Sequence, residues 1–181
     1  MTFSALQQNA IETAAKPDRR NSVSTSRRDL LKAYLLSDSY AFAEVICGHE
    51  DMIPEFHAPQ SYAFCHLTDR LIWTLNDPAY ESYATEFIRA ELGQRGIDWN
   101  TPAGRDRLDR LLDTLNMRDY RGSFKSSLGT HAGGLFIATT DPNRTIWLVS
   151  NSDPNAWAFC DQIGKTILSD TYQYWFPERI P

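Results

Sequence analysis

The stretch Arg121-Gly122-Ser123-Phe124-Lys125-Ser126-Ser127 sets two cations and four small residues directly ahead of Leu128, and no other stretch restricts the fold as strongly. Short side chains leave backbone N–H groups open to a ligand. A Lys followed by a hydroxyl residue at the mouth of a helix adds an ammonium and a hydroxyl around the same point. That combination suits phosphate: the ammonium for the terminal phosphates, the hydroxyl for Mg²⁺, the amides for phosphate oxygens. The stretch departs from G-x-x-x-x-G-K-[ST] at both glycines, with Asp119 at the first position and Phe124 at the second. An exposed turn with a solvated Lys and Arg fits the same seven residues.

The residues that follow favour a phosphate loop. Leu128, Leu135, Phe136 and Ile137 have the spacing of a helix packed on a sheet, and Asp141-Pro142-Asn143 is a stop signal. Gly133 and Gly134 weaken that helix by about 1 kcal/mol each relative to Ala, which points to close backbone packing or an early helix end. Ile146, Trp147, Leu148 and Val149 form a short apolar run that predicts a buried strand. Ser152 or Asp153 can cap a further helix, with Pro154 in its first turn and Ala156, Phe159, Cys160, Ile163, Ile167 and Leu168 on its apolar face. A strand into the loop is expected over 114–120, although Asn116, Arg118 and Asp119 make it polar. Loop, helix, strand, helix is the opening of a parallel sheet. The expected fold class is therefore α/β: an incomplete P-loop NTPase-like parallel sheet preceded by a mainly helical N-terminal region. The expected divisions are a flexible arm over 1–27, the helical region over 28–113 and the first part of the ATPase core over 114–181.

In this order and spacing, the segments resemble the large subunit of the tailed-bacteriophage DNA-packaging terminase, in the first half of its ATPase domain. Residues 121–126 are similar to the family's Walker A variant, with Arg four residues before Lys. Thr145 to Ser152 is similar to its second strand, and 153–170 to the helix that follows. Tyr172-Gln173-Tyr174-Trp175-Phe176-Pro177-Glu178 is similar to its aromatic ending, and Met52-Ile53-Pro54-Glu55-Phe56-His57 to an N-terminal signature. The likeness spans 29–181. It implies an ATP-binding part of a motor that couples ATP hydrolysis to translocation of duplex viral DNA into a procapsid. Lys125 and Arg121 would act on the β and γ phosphates, the backbone and side chains of Gly122, Ser123, Phe124, Lys125, Ser126 and Ser127 would bind ATP, and Ser126 would hold Mg²⁺. It further implies a capsid portal, a small terminase subunit and a homo-oligomeric ring as partners, in the cytoplasm of an infected bacterial host, and it places His57, Pro59 or Gln60 near the adenine.

Phosphoryl transfer also needs a carboxylate for Mg²⁺ and a group that positions water. No second apolar run ending in Asp-Glu follows residue 150, so the chain is expected to stop before the Walker B and nuclease regions and to hydrolyse little ATP alone. The alternative function is a non-catalytic interaction protein with a degenerate P-loop. A small nucleotide kinase is a third reading, against which no lid or acceptor-site Arg cluster is visible.

A net charge of −5 argues against a dedicated nucleic-acid module, and no segment is apolar enough to span a bilayer. Cys47, Cys65 and Cys160 are odd in number and widely spaced, which predicts buried thiols rather than disulfides or a metal site, and the four histidines are too scattered for zinc. Cys65-His66 are neighbours on a helix, where side chains diverge, so packing is favoured over a nucleophile and base. Ser26-Arg27-Arg28-Asp29-Leu30-Leu31 matches an export motif without its apolar segment, and predicts instead one ordinary helix over 28–46. Helices are also expected over 59–75, from Pro78 to a stop at Gly93 and Gly96, and from Thr101-Pro102 through Leu115. On the last, Arg105, Arg107 and Arg110 alternate with Asp106, Asp109 and Asp113, the pattern of a solvated face rather than a DNA grip.

Overall fold

A computed structural model describes residues 26–112, 126–146 and 152–179, and within these the chain is helical, with no strand. The order is α1 Arg27–Ser37, α2 Ser39–Val45, α3 Pro54–Phe64, α4 Thr68–Asn76, a 3₁₀ turn Pro78–Tyr80, α5 Tyr83–Gln94 and α6 Pro102–Leu112. A π-helix, π1, covers Ser126–Gly133 and runs directly into α7 Gly134–Thr140; α8 Asp153–Ile167, α9 Asp170–Trp175 and a 3₁₀ turn Pro177–Arg179 follow. These residues fall into two compact units divided between Ser37 and Asp38.

The first unit holds α1. Its start is a reciprocal cap: Ser26 Oγ and N donate to Asp29 Oδ2 at 2.7 and 3.2 Å, and the Asp29 amide donates back to Ser26 Oγ at 3.1 Å. These bonds hold the Asp29 carboxyl below its usual range. The single helix expected over 28–46 is two helices, because Asp38 is an N-cap whose Oδ1 accepts the Ala41 amide at 3.0 Å.

The second unit is organised around α3, which packs against α2, α4, α5 and π1. Residues 57–63 are all buried, as a helix enclosed on every side requires. Several of its polar groups are matched within that interior. Tyr62 Oη donates to the two Asp38 oxygens at 3.2 Å each, Ser61 Oγ meets Ser39 Oγ at 2.8 Å, and His57 Nδ1 accepts the Ile53 amide at 2.8 Å. Arg70 reaches Asp38 at 3.5 Å from α4. The single helix expected over 59–75 is two, α3 Pro54–Phe64 and α4 Thr68–Asn76, and Pro59 lies inside the first. Its missing N–H would leave the Glu55 carbonyl unbonded; Ser82 Oγ donates there at 2.7 Å, and Ser82 is also the N-cap of α5.

The alternating charges of α6 tie it to its neighbours. Arg105 pairs with Asp69 at 3.2 Å, Asp109 accepts from Thr68, and Arg107 donates to the Arg95 and Gly96 carbonyls at 2.8 and 2.9 Å. Gly96, at φ +60°, ends α5, whereas Gly93 lies within the helix. Gly104 lets α6 approach the preceding turn so closely that a Cβ there would lie 1.7 Å from the Asp98 carbonyl oxygen.

The expected parallel sheet is corrected by this arrangement. The strand expected over 114–120, and all but Ile146 of that expected over 146–149, lie outside the described residues, and Ile146 is exposed in an irregular segment. The helix after the basic loop packs against helices where a sheet was expected. Leu128, Ala132, Leu135 and Phe136 are buried, with α2, α3 and α8 packed against π1 and α2 against α7. Phe136 meets Phe42 of α2 edge to face at 5.4 Å, and Phe42 lies 5.9 Å from Phe176, so aromatic side chains from helices fill the volume.

Candidate functional site

Arg121, Gly122, Ser123, Phe124 and Lys125 lie outside the described residues. Ser126 and Ser127 open π1, so the basic loop leads straight into a helix whose continuation buries residues 131–136 in succession. Glycines permit that enclosure. A Cβ on Gly129 would lie 2.8 Å from the Phe64 ring, and one on Gly133 would lie 2.8 Å from the Leu128 carbonyl oxygen and 3.6 Å from Cys65 Sγ. Gly133 thus marks close packing, while a Cβ on Gly134 would make only ordinary contact with Ile163 at 3.7 Å.

At the centre of this segment lies His131, a buried imidazole with a partner on each nitrogen. Nδ1 is 3.2 Å from His49 Nε2, and Nε2 is 2.9 Å from Thr166 Oγ1 on α8. Thr166 Oγ1 also donates to the Gln162 carbonyl at 3.1 Å. One arrangement of protons uses all three contacts: His49 Nε2–H donates to His131 Nδ1, His131 Nε2–H donates to Thr166, and Thr166 donates to Gln162. Burial, and secondarily the charge of His49, push the His131 pKa down to about 4, so the imidazole is neutral at pH 7. The backbone brings His49 into place after α2, where Gly48 at φ +69° turns the chain and the His49 amide bonds the Ala43 carbonyl at 3.2 Å.

The thiols nearby are inert. Burial pushes Cys47 and Cys65 up to about 12, with Cys65 raising Cys47 further. All three cysteines are free; Cys65 is buried, Cys47 half-buried and Cys160 exposed, which corrects the expectation that all three are enclosed. Cys65 closes α3, and His66 follows at φ +56° with an exposed side chain. His57, Pro59 and Gln60 are buried on α3, where the bond to the Ile53 amide makes His57 part of that helix's own start.

Among the described residues, no three His, Cys, Asp or Glu side chains converge to hold a metal ion, and no helix is long and apolar enough to cross a membrane. Spacing alone missed the His49–His131–Thr166 chain, because 82 residues separate the two imidazoles. No family model, curated protein or solved structure matches the chain.

Proposed function

We propose that the chain is the ATP-binding part of a viral DNA-packaging motor, with residues 121–127 as its phosphate loop. One observation carries the reading: the basic loop ends where a deeply anchored helix begins. The first amides of a helix have no partner within it, and their partial positive charge favours an anion. A helix held by buried Leu128, Ala132, Leu135 and Phe136 keeps those amides in position against the pull of a polyanion. In this proposal Lys125 and Arg121 neutralise the β and γ phosphates, Gly122, Ser123, Phe124, Ser126 and Ser127 supply the surrounding loop, and the Ser126 hydroxyl holds Mg²⁺. The duplex DNA, the portal, the small subunit, the ring of copies and the infected-cell cytoplasm belong to the same proposal.

The 181-residue chain is expected to bind Mg²⁺·ATPγS weakly, with a dissociation constant on the order of 1 mM, followed by NMR titration. Lys125→Ala is expected to abolish that response and leave the far-ultraviolet circular dichroism unchanged. Equal binding by mutant and wild type sinks the assignment of this loop. The helical packing found where a sheet was expected favours a second reading, a non-catalytic interaction protein. Complete indifference of the folded wild-type chain to ATPγS selects it.

A further inference from the structure

A helix laid on the surface of a fold turns its apolar side inward and its polar side to water. The 15-residue α8 keeps only half of that rule. Its inner side, Ala156, Phe159, Ile163, Thr166 and Ile167, is half-buried, with the Thr166 hydroxyl at His131 and Ile163 over Gly134. Its outer side carries Trp157, 73 % exposed, and Leu168, 67 % exposed, although Leu168 was expected on the inner side. Burial of both would be favourable, and an indole is the side chain most used to anchor a contact between proteins.

The outer side has a particular order. Trp157, Asp161, Gly164 and Leu168 follow one another at steps of four, three and four residues, which places all of them on one face of the helix. Those steps read the same from either end. An antiparallel copy of the helix therefore presents matching groups: Trp157 of one copy meets Leu168 of the other at both ends of the contact. Charge matches in the middle. Within one chain Lys165 Nζ is 2.6 Å from Asp161 Oδ2, and both side chains are exposed. In the antiparallel pair each Lys165 also faces the other copy's Asp161, which closes a ring of alternating charge. Gly164 stands beside the axis with nothing within 4 Å of where a Cβ would be, so the two backbones can approach closely.

We propose that the outer face of α8 is an interface with a second copy of this chain, the two α8 helices packing antiparallel about a two-fold axis near residues 162 and 163. The self-complementary order of apolar, charged and small residues fixes the occupant. A two-fold contact is isologous and stops at two copies, whereas a ring is built from head-to-tail contacts, so this pair stands independently of the nucleotide reading above. A contact limited to one helix from each copy is small, so the dimer is reversible, and its ion pairs set register and specificity more than strength.

Sedimentation equilibrium of the whole chain tests the pair, with reductant present because Cys160 is free and exposed. Self-association with a dissociation constant on the order of 10–100 μM is expected. Trp157→Lys is expected to give a monomer and, because the side chain it replaces is exposed, an unchanged urea midpoint. Lys165→Glu surrounds the axis with carboxylates and Asp161→Lys surrounds it with ammonium groups, so each is expected to weaken self-association by roughly 10-fold or more. An equimolar mixture of these two variants sets an anionic face against a cationic one and is expected to associate at least as well as wild type. That rescue cannot arise within one helix, where each variant keeps its own like-charge pair. A wild type that stays monomeric up to about 1 mM overturns the proposal. So does a dimer that Trp157→Lys leaves intact, which would lie on another face, or a lowered urea midpoint in Trp157→Lys, which would show that the chain itself covers the indole. A mixture of the two charge variants that remains monomeric overturns the antiparallel pairing.

Discussion

At position 131 the fold admits only a neutral imidazole. Both ring nitrogens are bonded, the side chain is buried, and a second imidazole lies edge-on with its centroid 5.2 Å away. Adding a proton places a charge in that interior beside His49, and the pKa falls to about 4 from the ordinary 6.5. The consequence for stability has a definite sign. Between those two values the unfolded chain binds a proton that the folded chain does not, so the stability of the fold rises with pH across the window. The stabilisation is complete above pH 6.5 and is lost as pH falls toward 4. Carboxyl groups also titrate at the acidic end: Glu44 is raised by burial and Asp29 is lowered by its bonds to Ser26. A difference between two proteins isolates the histidine. The urea midpoint of the wild type is expected to fall between pH 7.5 and 4.5 by more than that of His131→Gln. Parallel pH profiles for the two would show that His131 is not the group responsible.

Elements meet in this chain through backbone groups that one helix leaves open and another fills. Pro59 removes an amide from α3, the Glu55 carbonyl is left facing outward, and the Ser82 hydroxyl of α5 donates to it at 2.7 Å. Ser82 also accepts the Thr85 amide at 3.4 Å, while its own amide donates to Thr85 Oγ1 at 2.9 Å, so one side chain caps α5 and fastens it to α3. Ser82→Ala is expected to cost about 1–2 kcal/mol in urea unfolding. Pro59→Ala returns an amide to the Glu55 carbonyl, so Ser82→Ala should cost less in that background. Additive costs in the double-mutant cycle would show that the two helices are joined by something else. The same bond explains why the start of α3 was misplaced. A proline reads as a helix start, and nothing near residue 59 announces a hydroxyl 23 residues away that makes an interior proline tolerable. Periodic apolar positions, by contrast, were legible: Leu108 and Leu112 are buried on the helix their spacing predicts. Spacing does not disclose what covers a helix, and Leu128, Leu135 and Phe136 suit a helical neighbour as well as a sheet. The imidazole pair was invisible because 82 residues separate its two members.

For the molecule as a whole, charge decides what a DNA-packaging role asks of these residues. Affinity for a duplex comes chiefly from cations that neutralise phosphates and release counterions. This chain carries a net charge of −5, and several of its cations are already matched within the fold. Arg89 is bonded to Glu81 at 2.7 Å and to the Leu75 carbonyl, Arg105 to Asp69, Arg95 to Glu91 at 3.4 Å, and Arg107 to two carbonyls that end α5. The exposed pairs are individually weak, but each sets a carboxylate beside its guanidinium, which opposes an approaching phosphate. The bonds of Arg107 serve the end of a helix, where a cation is favoured by the helix's own dipole. These described cations would have to give up their partners to hold a duplex, so they are poor candidates for a DNA grip. Fluorescence anisotropy of a labelled duplex at 150 mM salt is expected to show binding weaker than the roughly 10⁻⁴–10⁻⁶ M typical of non-specific DNA-binding proteins. Submicromolar binding with a steep loss of affinity on raising the salt would reveal a phosphate-tracking surface on this chain and move the DNA grip onto it.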